Sequence, residues 1–93
     1  MPRKSALESM MAFFQEYLGG KIDRMDFDLS FNDFLVQSYP KMARQSRGIA
    51  DCFVFYLSEE GYAQTLGMTD SDHKKLIRKQ FSEFKSALRD GIL

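Results

Sequence analysis

At 93 residues the chain is long enough for one core and too short for several domains; such a chain buries roughly 60–70% of its unfolded surface without metal or disulfide. An apolar content of 44%, with nine Phe, four Tyr and no Trp, excludes disorder and predicts an aromatic interior. One cysteine excludes an internal disulfide, and one cysteine with one histidine is too few for a structural zinc site.

The first predicted helix covers about 5–18, with Leu7, Met10, Met11, Phe14 and Leu18 at helical spacing and a capping box from Ser5 and Glu8. Gly19-Gly20 ends it in the left-handed conformation open to glycine. Asp23 caps a second helix, about 24–39, whose apolar stripe is Phe27, Phe31, Phe34 and Leu35. Pro40 disfavours helical geometry at Tyr39, so that helix is expected to end or kink there and to leave Lys41 to Gly48 as a connection or short turn.

A third helix, about 49–60, carries the stripe Ile49, Cys52, Phe53, Tyr56 and Leu57, with Val54 and Phe55 off it. A helix apolar nearly all round is either central or covered by a partner. Gly61 breaks it, and Cys52 reads as a small buried hydrophobe. The last helix, about 70–90, is capped by Thr69 or Asp70, buries Ile77, Phe81, Phe84 and Leu88, and stops at Gly91. No useful strand alternation or repeat interrupts this order. The expected fold is all-α, a single-domain four-helix bundle.

No segment approaches the roughly 20 apolar residues of a membrane span, and Met10 to Phe14 is shorter than a signal-peptide core, so no membrane association and a cytoplasmic location are expected. Enzymatic chemistry is not expected either. His73 and Cys52 form no nucleophile–base set, and His73, in the first turn of the last helix, reads as a solvated or capping residue. Asp26, Asp28 and Ser30 mimic a calcium loop, but Phe31 stands where the turn requires glycine and Gln37 where it requires Glu. No metal or cofactor is implied.

Charge is neutral in sum and segregated in sequence. Residues 23–72 carry net −5, and residues from His73 onward carry +4. Such asymmetry gives an acidic and a basic face, each able to steer a partner of opposite sign. Lys74 to Arg89 could contact phosphates, yet Phe81 and Phe84 belong to its core stripe and leave no stacking platform, so direct nucleic-acid binding is the lesser reading. The acids Asp26, Asp70 and Asp72 have a plain role near helix starts, and Asp28 lies close by. Glu59 and Glu60 instead lie at a helix C-terminus, where the dipole disfavours negative charge, which invites a functional explanation.

The order of features resembles the colicin D immunity protein family and the similar small helical immunity proteins of contact-dependent inhibition systems. The resemblance spans about residues 7–88. It lies in Lys21-Ile22 after the first helix, Asp23 with Asp26-Phe27, Ile49-x-Asp51-x-Phe53 closing on Glu60 and Tyr62, and Leu76-Ile77-Arg78 leading to Phe81, Phe84 and Leu88. It implies a non-enzymatic inhibitor of a cognate bacterial toxin nuclease, of the tRNA-cleaving kind in the colicin D family, whose basic substrate cleft is covered by an acidic surface. That surface would comprise Asp51, Phe55, Glu59, Glu60 and Tyr62, with Asp26, Asp28, Asp70 and Asp72 as secondary candidates. The chain departs from the family in its neutral total charge and basic last helix. The alternatives are a small helical nucleic-acid-binding or regulatory protein using the basic last helix, and a homodimer formed through Val54 and Phe55.

Overall fold

The first helix starts where its cap predicts. In the computed structural model, which describes residues 5–90, the Ser5 hydroxyl accepts the Glu8 N–H at 3.1 Å and the Glu8 carboxylate accepts the Ser5 N–H at 3.4 Å. Helix α1 then runs Ala6–Leu18. Gly20, at φ +84°, is the left-handed residue that turns the chain out of it. The Asp23 carboxylate accepts the Asp26 N–H at 2.8 Å and starts α2, Arg24–Gln45. The expected stop at Gly91 lies outside the described residues.

Two compact units divide the chain, residues 1–47 and 48–93. In the first, α1 and α2 pack through an aromatic cluster. Phe13 stacks on Phe27 at 5.1 Å with rings 5° apart and on Phe34 at 4.9 Å, while Tyr17 stacks on Phe27 at 4.4 Å. Phe14 meets Phe31 edge-on at 5.8 Å. The α1 core is therefore Met10, Phe13, Phe14 and Tyr17, and the expected Leu7, Met11 and Leu18 are only half-buried. Both stripes have helical spacing; ring stacking against α2 selects the one richer in aromatics, which bury more area and add pair energy.

Helix α2 does not stop at Pro40. It continues to Gln45, and only the extended Ser46 separates it from α3, Arg47–Phe53. Proline removes the N–H that would bond the Val36 carbonyl. Val36 and Pro40 are both exposed, so water can meet that carbonyl. The cost is reduced on this side of the helix, whereas Ser38 and Met42 hold the opposite side in the core.

The second unit begins in α3 and changes register. Val54–Glu59 is a π-helix, Tyr62–Gln64 a 3-10 turn, and α4 runs Asp70–Arg89 from its Thr69 cap, whose hydroxyl accepts the Asp72 N–H at 3.2 Å. Phe53 meets Phe84 edge-on at 5.2 Å. The buried set of α4 is His73, Ile77, Gln80, Phe81, Phe84 and Ala87. His73 is therefore a core residue, not a solvated one, because it lies one helical turn before Ile77. Leu88 is half-buried, as is Cys52.

The described residues contain four α-helices and no strand, so the all-α class is as expected. Among them no helix is long and apolar enough to cross a membrane.

Candidate interaction surface

An α-helix continued from Phe53 would place Glu60 almost directly above it, because seven residues make nearly two turns. A carboxylate would then drift onto the buried column. The π-helix prevents this. The Glu60 N–H donates to the Phe55 carbonyl, five residues back, at 2.9 Å, so Glu60 follows Phe55 and not Phe53.

Exposure follows this widened turn with a period of four. Asp51, Phe55 and Glu59 are exposed, whereas Phe53, Leu57 and Gly61 are buried. Glu60 is exposed beside Glu59. The result is a column that brings Asp51, Phe55, Glu59 and Glu60 to one side of the segment. Phe55 remains 47% exposed although its ring meets Tyr56 edge-on at 5.1 Å. A large apolar ring set among carboxylates has the composition of an interface anchor.

Gly61 makes the π-turn close. A Cβ there would stand 2.8 Å from the Leu57 carbonyl oxygen and 3.1 Å from that of Tyr56. After it, the Gln64 side-chain amide donates to the Glu59 carbonyl at 3.1 Å, satisfying one of the helix-end acceptors. Tyr62 is half-buried, and its carbonyl accepts the Thr65 hydroxyl at 2.6 Å. Among the described residues neither Glu59 nor Glu60 forms an ion pair with a cation.

Sequence reasoning missed the neighbouring groove lined by Tyr56, Ser82, Glu83, Ser86, Ala87 and Asp90. It adds Glu83 of α4 and Asp90, the residue that caps that helix, to the acidic surroundings of the π-helix. Seven residues put Glu83 and the C-cap Asp90 about two turns apart, but only knowledge of which α4 face meets Tyr56 would have singled them out.

The secondary candidates are distributed differently. Asp26 and Asp28 belong to α2 in the first unit, where Asp28 pairs with Arg24 at 3.5 Å. Asp70 and Asp72 occupy the first turn of α4, favourably placed against the helix dipole. Among the described residues no three His, Cys, Asp or Glu side chains gather as a metal site. Five exposed cations, Lys75, Arg78, Lys79, Lys85 and Arg89, lie along α4, while Phe81 and Phe84 are buried.

Comparison with protein-family models, curated proteins and solved structures gives no match.

Proposed function

We propose that the chain is an immunity-type inhibitor that binds a cognate bacterial toxin nuclease, a tRNA-cleaving ribonuclease by the family resemblance, in the cytoplasm of the producing cell. The observation that supports this most is the column of Asp51, Phe55, Glu59 and Glu60, in which two adjacent exposed carboxylates follow an exposed aromatic residue one widened turn later. A nuclease cleft must be basic to hold phosphates. Carboxylates fixed on a helix can occupy the same cations and exclude the nucleic acid.

In this reading Phe55 anchors the contact, Tyr62 extends it past the π-turn, and Glu59 and Glu60 form charge pairs with the toxin. Their helix-end position raises the energy of the free inhibitor. Binding relieves that unfavourable placement when a cation arrives. Steering by the acidic segment speeds encounter, which matters for an inhibitor whose target is lethal to its maker.

The test takes the gene next to this chain's, which the proposal expects to encode a nuclease toxin, and asks whether the chain protects cells that express that domain. The double variant Glu59→Lys and Glu60→Lys is expected to lose protection while keeping its helical content and unfolding at or above the parent's temperature, since lysines suit a helix C-terminus. Full protection by the folded variant would contradict the proposal. The exposed cations of α4 favour a second reading as a nucleic-acid binder; in that case the same variant would bind RNA more tightly.

A further inference from the structure

Helix α2 carries a second surface feature that the reading above does not use. Met25, Leu29 and Val36 are 71%, 72% and 73% exposed, although the helix buries Phe27, Phe31, Ser38 and Met42 on its other side. Spacings of four and seven put the three on one ridge, and the exposed Pro40 continues it by another turn. Scattered exposed apolar residues need no explanation, but a ridge along about ten ångströms or more of one helix does.

The charges beside the ridge choose an occupant. Residues 23–34 contain Asp23, Asp26, Asp28 and Asp33 against Arg24 alone, whereas residues 35–45 contain Lys41 and Arg44 and no acid. The N-terminal half of α2 is thus acidic and the C-terminal half basic. Asp26 and Arg44 are 18 residues apart, five full helical turns, so they lie on the same flank of the ridge. A separation of ~27 Å along the axis prevents them from pairing within one chain.

We infer that the exposed ridge of α2 is the contact surface for a second copy of this chain, packed antiparallel about a twofold axis near Val36. A twofold axis carries each flank of α2 onto the same flank of the second copy. Asp26 then faces Arg44 of the second copy, and the symmetric pair forms at the other end. Leu29 of each copy approaches Pro40 of the other, and the two Val36 side chains lie close to the axis. A parallel pair would instead set acidic half against acidic half. This contact is isologous and closes on itself, as a dimer interface must. One helix pair buries less than the ~1,600 Å² of a standard interface, so association is expected in the range of about 1 μM to 1 mM.

Sedimentation equilibrium of the full chain, from ~5 μM to ~1 mM, reads this directly. A reversible monomer–dimer equilibrium is expected. Leu29→Glu with Val36→Glu should weaken it by ~100-fold or more while circular dichroism remains that of the parent. Asp26→Lys and Arg44→Glu, each alone, should weaken it by ~5–10-fold, and the two together should restore it. The restoration separates the antiparallel pairing from a general loss of folding. A chain that stays monomeric to ~1 mM would overturn the inference and assign the ridge to a different protein. So would a dimer indifferent to Leu29 and Val36, or charge reversals that fail to compensate.

Discussion

The Glu60 N–H donates to the Phe55 carbonyl at 2.9 Å, and that single five-residue bond moves a carboxylate from above the core residue Phe53 to above the exposed Phe55. Fold and candidate function meet at this bond. The π-turn keeps Leu57 and Gly61 on the buried column, and it gathers Phe55, Glu59 and Glu60 on the outside.

Gly61 should be intolerant of a side chain. A Cβ at 2.8 Å from the Leu57 carbonyl oxygen meets backbone, which cannot rotate away. Gly61→Ala is expected to destabilise the protein by about 1–3 kcal/mol, within the range for overpacking, as read by urea unfolding. Unchanged stability would show that the segment relaxes into another register.

Pro40 should be improvable. It lies inside a continuous helix, and an interior proline costs about 3 kcal/mol relative to alanine. Part of that cost is offset because proline also restricts the unfolded chain by about 0.4–1 kcal/mol. Pro40→Ala is therefore expected to raise unfolding free energy by about 1–2 kcal/mol in denaturant titration.

Gln80 should also be improvable, for a different reason. Its side-chain amide oxygen is buried and has no hydrogen-bond partner among the described residues. Gln80→Met keeps the length and removes the desolvated acceptor. A gain of about 1 kcal/mol in thermal or urea unfolding is expected.

Cys52 should be slow to react. Burial pushes its thiol above the usual range, because the thiolate is poorly solvated there. The folded-state value is the higher one, so its contribution to stability is present below the unfolded value and declines as pH rises through the folded value. Labelling by a disulfide reagent at pH 8 should be several-fold slower for the folded chain than for the urea-unfolded chain. Equal rates would contradict this.

Local features were legible in the sequence. Ser5 with Glu8, Asp23 with Asp26, and Thr69 with Asp72 are caps whose partners lie three residues away, so their geometry follows from the chain alone. Phe27, Phe31, Ile77, Phe81 and Phe84 were legible by periodicity. Choices decided by packing were not. Phe13 and Tyr17 displaced Leu7 and Leu18 through stacking with α2, and His73 entered the core by its place before Ile77. Of the candidate surface, the acids at the end of the third helix were visible. The π-turn that aligns them with Phe55 was not, because a register change follows from tertiary demands on Phe53, Leu57 and Gly61 together.

The most direct test of the proposed role is calorimetric titration of a nuclease domain, taken from the gene next to this chain's, with the parent protein and with Glu59→Lys, Glu60→Lys. Removing one partner of a buried interfacial charge pair costs about 2–5 kcal/mol, so the parent should bind and the double variant should bind at least ~100-fold more weakly. Equal affinity of the two, with both folded, would contradict the assignment of the π-helix end as the inhibitory surface.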